Sequence, residues 1–417
     1  MAAEKVNLLK ENKEFLRLFT SYSVSMLGRW LDLVAIMILF GFTWNANPLI
    51  IALIPVVFAL PHAIFSQFAG VLTDRFNKVK LMIFSDISVC LLSILLLFVS
   101  TPLIGLILLF IRSSFTIVHF PAQQSIIKEV VKEEHIVGAV TLNGMINEFT
   151  KMMGPLLGSS LAAFFSPKVC ILINAIAYLI SAMIVWSLKE RETKEKTVIV
   201  HQEQQTSMWS KYIEGWKAVF TSRILLICIS YSVIGYMAIQ MTDVQLTVLF
   251  REVAATKPEL LGWVMAASGL GAFISMFLMK RFFREINYRF VLGGSYILIG
   301  FGFGGMGFLS VGAATAIPIA LGMITGGGVG LFSMGMSYIL QRETTKENIG
   351  RVSGIYNSLT NTFILIAPIA GGLLVELWNV YLIYRITGLI LIVFSFIFIF
   401  TRNVFLKGNN KKEREAG

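Results

Sequence analysis

Charged side chains lie within long apolar segments of this sequence. Asp32 follows Arg29 by three residues, and Lys151 follows Glu148 by three, so each pair shares one helix face. Arg112 lies near the middle of another apolar segment. Placing a charge inside a bilayer costs at least about 2.5 kcal/mol, so each of these charged residues is expected to have a structural partner or a function. A carboxylate in a low dielectric readily takes a proton, and a nearby cation opposes this. The pattern predicts Asp32 and Glu148 as proton sites modulated by Arg112, with static Arg29–Asp32 and Glu148–Lys151 pairs as the alternative.

The composition is that of a membrane protein. The chain has 417 residues, of which 56% are hydrophobic and only 14% are charged, with a net charge of +11. Soluble domains are about a quarter charged, and a soluble fold could not hide this much apolar surface. In a bilayer the lipid is the solvent for the outer face. We therefore expect an all-α integral membrane fold.

The apolar segments are long enough for twelve transmembrane helices, since each needs roughly 20 apolar residues. Two sets of six are separated by a polar stretch, which predicts an N-terminal bundle, a cytoplasmic linker and a C-terminal bundle with a short basic tail over residues 1–188, 189–221 and 222–417. The predicted helices span residues 16–43, 48–72, 79–100, 102–127, 137–166, 168–188, 222–250, 259–281, 288–309, 314–341, 349–377 and 379–402.

The basic residues predict the orientation. With the N-terminus inside, inner loops and tails hold 28 of the 35 Lys and Arg residues, outer loops hold three, and four lie inside helices. Cytoplasmic loops of membrane proteins carry such an excess of positive charge. The distribution predicts a multi-pass protein of the cell membrane, most simply a bacterial cytoplasmic membrane, with both termini in the cytoplasm.

The two halves resemble each other. Gly154-Pro155-Leu156-Leu157-Gly158 is echoed by Ala367-Pro368-Ile369-Ala370-Gly371, and Lys132-Glu133-Glu134-His135-Ile136 is echoed by Lys346-Glu347-Asn348-Ile349. The offsets lie between 210 and 214 residues, about half the chain. Parallel repeats of this kind place a substrate site at the midplane between the halves. The series predicts two pseudo-symmetric bundles of six helices.

The loop between the second and third predicted helices reads Gly70-Val71-Leu72-Thr73-Asp74-Arg75-Phe76-Asn77-Lys78-Val79-Lys80. Gly70 permits close helix approach, and Asp74 can accept hydrogen bonds from a helix N-terminus or pair with Arg. With Arg75 and Lys78 it can form a latch that opens and closes with conformation. The stretch resembles the signature loop G-x-L-x-D-R-x-G-R-K of the major facilitator superfamily, with Asn77 in place of the second glycine.

Further stretches resemble the same family. The residues around Arg112 are similar to the intramembrane arginine motif of drug/proton antiporters, and Gly154-Pro155-x-x-Gly158 is similar to their G-P-x-x-G-G motif. Gly154, Pro155, Gly158 and Pro368 are expected to act as hinges or as close-packing positions. Ser25-Met26-Leu27-Gly28 and Phe120-Pro121-Ala122 resemble the macrolide-efflux and enterobactin-exporter branch.

The resemblance implies proton-coupled efflux of a hydrophobic or amphipathic compound, drug-like or siderophore, by alternating access. A lysophospholipid flippase is the alternative, and a non-transporting receptor is a third class.

We expect no enzyme activity, cofactor, metal or nucleic-acid partner. The expected partners are the substrate, protons and the lipid bilayer, and the protein is expected to be a monomer. A proton gradient is the expected energy source. Arg29, Lys151 and Asp243 are candidates for contact with a substrate or ion.

Overall fold

The computed structural model describes residues 8–188, 208–282, 287–345 and 348–400, and every regular element within these ranges is a helix. The first helices are α1 (Leu8–Glu11), α2 (Lys13–Ile38, extended by the π-helical turn Leu39–Thr43), α3 (Pro48–Arg75), α4 (Lys78–Leu97), α5 (Pro102–Thr116), α6 (His119–Val130), the 3₁₀ turn Glu133–His135, α7 (Ile136–Phe164) and α8 (Pro167–Trp186). They are followed by α9 (Met208–Thr221), α10 (Arg223–Asp243), α11 (Leu246–Val253), α12 (Glu259–Phe282), α13 (Tyr288–Met306), α14 (Ala316–Glu343), α15 (Ile349–Leu377) and α16 (Val380–Phe400).

Within the described ranges, 11 helical segments are long and apolar enough to cross a membrane. The predicted fifth span is the exception, although α7 is 29 residues long and covers its position. This helix carries the polar side chains Asn143, Asn147, Glu148 and Lys151, which lower its mean hydropathy. The count of twelve spans and the cytoplasmic termini therefore stay predictions.

The chain divides into two compact units. Unit 1 comprises Met1–Val198 with Ala255–Ala266, and unit 2 comprises Ile199–Ala254 with Ala267–Gly417. Of the predicted linker, residues 189–207 lie outside the described ranges, and the remainder forms α9. Glu214 on α9 forms an ion pair of 2.7 Å with Arg351 on α15. The second part of the linker is thus attached to the helices of unit 2.

The internal repeat is visible in the helices themselves. Helices α7 and α15 each contain 29 residues, and both their first residues, Ile136 and Ile349, and their internal prolines, Pro155 and Pro368, are 213 positions apart. A Cβ on Gly158 of α7 would lie 2.7 Å from the Leu31 carbonyl oxygen on α2. A Cβ on Gly371 of α15 would lie 2.1 Å from the Met241 carbonyl oxygen on α10. Each unit therefore builds the same close helix contact at the same place.

These two glycines give a prediction about stability. Gly158→Ala and Gly371→Ala each force a Cβ against a backbone carbonyl, so we expect each to destabilise the protein by about 1–3 kcal/mol. Gly144 and Gly354 lie on the same two helices, and nothing lies within 4 Å of their Cβ positions. Their substitution by Ala is the matched control and should be neutral or slightly stabilising. Thermal unfolding in detergent measures the difference, and equal effects at crowded and open positions would contradict this packing.

Candidate functional site

Glycines bring α2 close to its neighbours in unit 1. A Cβ on Gly28 of α2 would lie 2.8 Å from the Ala177 Cβ on α8, and a Cβ on Gly154 of α7 would lie 2.3 Å from the Trp30 Cβ on α2. Small residues at such positions let membrane helices approach until their backbones nearly touch. The close packing leaves Asp32, one turn further along α2, only 2% exposed.

Asp32 pairs with Arg112 across the helices α2 and α5. The Arg112 Nη2 atom lies 2.6 Å from Asp32 Oδ2, and the Arg112 side chain is itself buried. The other guanidinium nitrogen, Nη1, donates to the Ser93 hydroxyl on α4 at 3.1 Å. The Ser93 hydroxyl also accepts from the Asn174 side-chain amide at 3.3 Å. Four helices of unit 1 thus hold one buried ion pair.

Only one oxygen of the Asp32 carboxylate contacts Arg112 in this ion pair. Asp32 Oδ1 is buried and has no hydrogen-bond partner among the described residues, whereas Oδ2 holds the arginine. The Arg112 guanidinium also lies 5.9 Å from the ring centre of Phe58, which covers it with an apolar surface. A desolvated charge pair of this kind is sensitive to the loss of either charge. This arrangement is suited to proton exchange at Asp32 Oδ1. Protonation there would weaken the attraction between Asp32 and Arg112.

Unit 2 lacks this pair at the equivalent positions. With the offsets of 210 residues for α2 and 213 residues for α5, the counterparts of Asp32 and Arg112 are Thr242 and Thr325, and both are buried. The repeated helix packing therefore forms without charges at these positions. The ion pair is a property of unit 1 and not of the fold.

The other predicted charges are arranged differently from the sequence-based pairs. Arg29 is exposed and forms no ion pair with Asp32, whose partner is Arg112. Glu148 and Lys151 are also exposed, with no ion pair between them within the described part of the chain. The spacing of three residues was a weaker guide than the tertiary contact. Asp243 is exposed at the last residue of α10.

The predicted latch is visible in part. The surroundings of Gly70 and Asp74 lie outside what the structure describes, and Arg75 is exposed at the end of α3. Asn77 caps α4, because its side-chain oxygen accepts from the Val79 and Lys80 backbone amides at 3.0 and 3.1 Å. Lys78 forms an ion pair with Glu129 of α6, so its charge is engaged within unit 1. The latch function stays a prediction.

A second buried polar cluster was not singled out from the sequence. Asp86 on α4 accepts from the Ser181 hydroxyl at 2.6 Å, and its other oxygen lies 3.2 Å from His119 Nε2 on α6. Asp86 lies inside the predicted helix 79–100, so the cost of an intramembrane charge is the signal that could have found it. In the part of the chain that the structure describes, no three His, Cys, Asp or Glu side chains cluster as metal ligands.

Comparison with known families decides the identity of the fold. The sequence model described as Major Facilitator Superfamily matches residues 18–361 and, in a second match, residues 254–417. The chain belongs to this superfamily. It is therefore a multi-pass protein of the cell membrane and a transporter, not an enzyme.

Relatives and solved structures agree with this assignment. An uncharacterized MFS-type transporter of Bacillus subtilis, YfiS, is 30% identical and matches over 94% of this chain and 93% of its own length. Macrolide efflux protein A of Enterococcus faecalis is 27% identical over 30% of this chain and 41% of its own length. The staphyloferrin A transporter of Staphylococcus aureus is 21% identical over 64% and 67%. The crystal structure of the nucleoside transporter NupG superposes with a TM-score of 0.71 at 14% identity, over 94% and 99% of the two chains.

Proposed function

We propose that this major facilitator is a proton-coupled exporter of hydrophobic or amphipathic compounds, and that the Asp32–Arg112 pair couples the proton to transport. The observation that carries the proposal is the buried ion pair of 2.6 Å, in which one carboxylate oxygen accepts no hydrogen bond from the described residues. Its absence from the equivalent positions of unit 2 supports a role beyond packing.

The chemistry follows from the cost of a buried charge. When Asp32 is ionised, it neutralises Arg112 and both charges are tolerated. A proton that binds to Asp32 Oδ1 removes the negative charge, so Arg112 loses its attraction and must find another acceptor or solvent. Loss of the proton restores the pair. The two protonation states thus favour two positions of α2 relative to α5, and such a two-state element can couple proton movement to alternating access.

The substrate class rests on relatives. One of them is named for the efflux of macrolides and another for the transport of staphyloferrin A, at low identity. Both names support a proposal of export for drug-like or siderophore compounds. Glu148 stays a predicted second proton site, and Arg29, Lys151 and Asp243 stay predicted contacts for a substrate or ion.

The test uses the purified protein in liposomes with an imposed pH gradient. A panel of a macrolide, a ferric siderophore and a lysophospholipid is offered, and uptake is compared with that of empty liposomes. We expect uptake of a macrolide or siderophore that depends on the gradient. Movement of the lysophospholipid alone would favour the flippase alternative, and no uptake of any compound, without proton movement, would contradict the exporter.

A further inference from the structure

A chain of polar contacts crosses the interior of unit 1 away from the Asp32–Arg112 pair. The Ser181 hydroxyl donates to Asp86 Oδ2 at 2.6 Å, and Ser21 lies 2.7 Å from Ser181. Because the Ser181 proton is used on the carboxylate, Ser21 is the donor in the second contact. Asp86 is fully buried, and His119 Nε2 lies 3.2 Å from Asp86 Oδ1.

This acid and histidine are at ion-pair distance without a hydrogen bond between them. Asp86 Oδ1 and His119 Nε2 are both buried atoms without a hydrogen-bond partner among the described residues. One turn along α6, both amide atoms of Gln123 are in the same condition, and Gln123 is 1% exposed. Buried polar atoms are normally satisfied, and exceptions require an explanation. Unsatisfied polar atoms of Asp86, His119 and Gln123 thus lie on the adjoining helices α4 and α6 and require a functional explanation.

The internal repeat shows that the fold does not require these polar groups. With an offset of 210 residues for α2 and α4, and of 213 residues for α6 and α8, each member of the chain has an aromatic counterpart in unit 2. The counterparts of Ser21, Asp86, His119 and Ser181 are Tyr231, Tyr296, Phe332 and Phe394.

The aromatic residues of unit 2 repeat the same contacts. Ring centres are 4.7 Å apart for Tyr231 and Phe394, 6.5 Å for Tyr296 and Phe394, and 5.3 Å for Tyr296 and Phe332. Stacked rings of this kind fill a helix interface without any buried charge. Unit 1 carries an acid and a base where unit 2 carries an apolar core. A buried acid that the fold does not need is a candidate for function.

Other titratable groups lie on the helices packed against this pair. Tyr178 on α8 is buried and within electrostatic range of Arg29, Asp86, Arg112 and Asp32. Ser93, which holds Arg112, is seven residues from Asp86 on α4, or about 10 Å along the helix. Other polar, titratable or charged groups on the surrounding elements include Ser85 and Cys90 on α4, His62 on α3, Arg112 on α5, Lys128 and Glu129 on α6, Asn143 on α7, and Tyr22 and Arg29 on α2.

We propose that Asp86 and His119 form a second proton-binding site, distinct from Asp32. A proton delivered by hydronium bonds to His119 Nε2 and leaves water behind, so the imidazolium and the Asp86 carboxylate become a neutral pair. Without the proton, the Ser181 hydroxyl is the hydrogen-bond donor to the carboxylate within the described part of the chain. Histidine is the side chain whose charge ordinarily changes between pH 5 and 8. The Gln123 side chain lies one turn away on α6. Its amide can present its donor nitrogen or its acceptor oxygen to the pair, depending on whether His119 is protonated.

The test reads the protonation of His119 directly. The chain has four histidines, so ¹⁵N-histidine labelling of the full-length protein in lipid nanodiscs gives few imidazole signals. His119→Gln assigns the signal by its loss. We expect acidification to convert the wild-type signal from imidazole to imidazolium. In Asp86→Asn, the imidazolium should be absent at pH values where the wild type shows it, because its counter-charge is gone.

Two further spectra separate this site from the first. Asp32→Asn should leave His119 able to take up its proton, because Asp86 and not Asp32 supplies the counter-charge. Ser181→Ala is a milder variant than Asp86→Asn and should alter the titration while keeping the acid. A wild-type His119 that stays neutral down to pH 5.5 would overturn the proposal, as would a titration that Asp86→Asn does not alter. A failure of Asp32→Asn to affect transport would count against the proposed function only.

Discussion

Asp32→Asn is expected to abolish accumulation driven by a pH gradient while substrate exchange continues. One proton moving down one pH unit supplies about 1.4 kcal/mol, which is enough for about tenfold accumulation of a substrate exchanged against it. Asparagine cannot take up the proton. The ratio of substrate concentrations inside and outside the liposomes should therefore fall to about one under the same pH gradient. Counterflow of labelled against unlabelled substrate requires no net proton movement and should persist. Both are measured in the same proteoliposomes.

The controls distinguish coupling from damage. Glu376→Gln removes an exposed acid near the end of α15 and should leave accumulation intact. Glu148→Gln tests the other acid predicted from the sequence, which is exposed in the structure. If both Asp32→Asn and Glu148→Gln accumulate substrate as the wild type does, neither acid carries the coupling proton and the proposed mechanism is wrong.

Arg112→Gln is expected to have the largest effect on stability. Removing one partner of a buried ion pair leaves an uncompensated charge, which typically costs about 3–5 kcal/mol. The destabilisation should be greatest at neutral pH, where Asp32 would have to stay charged without a cation, and should shrink as acid neutralises the carboxylate. Thermal unfolding of the purified protein in detergent at two pH values measures both effects.

The double variant Asp32→Asn with Arg112→Gln supplies the decisive comparison. With both charges gone, the two amides can hydrogen-bond, so the double variant should be more stable than Arg112→Gln alone. If the two single effects simply add, the residues do not interact and the ion pair of 2.6 Å is not formed in the protein.

Much of the fold follows from features that are local in sequence. Apolar length determines where helices lie, and glycine and proline spacing revealed the repeat that α7 and α15 share over 29 residues each. Span number was harder, because α7 carries the polar side chains Asn143, Asn147, Glu148 and Lys151, which weaken its apolar signal. Hydropathy alone cannot separate such a helix from a buried helix of a soluble protein.

The site was predictable in its members but not in its contacts. Intramembrane charge marked Asp32 and Arg112, whereas the spacing of three residues suggested Arg29 as the partner of Asp32. The actual partner lies 80 positions away, and only the tertiary fold of unit 1 brings the two side chains together. The same rule could have singled out Asp86, which the sequence-based prediction missed, and its link to His119 requires α4 and α6 to be adjacent. Pairing across helices is a tertiary property that no local pattern encodes.

The two units differ more in chemistry than in architecture. Equivalent helices pack at equivalent glycines, yet the buried charges of unit 1 are replaced in unit 2 by threonines and stacked aromatic rings. Duplication explains the common packing, and later divergence explains the chemistry. Variants that exchange a polar position of unit 1 for its counterpart in unit 2 therefore separate function from folding.

Proton movement driven by substrate tests the central claim most directly. Proteoliposomes that contain a pH-sensitive dye are given a gradient of the transported compound and no initial pH gradient. Proton-coupled export predicts that protons move against the direction of the compound in the wild type and stop in Asp32→Asn. Transport of the compound at the wild-type rate with no change in internal pH would contradict the account.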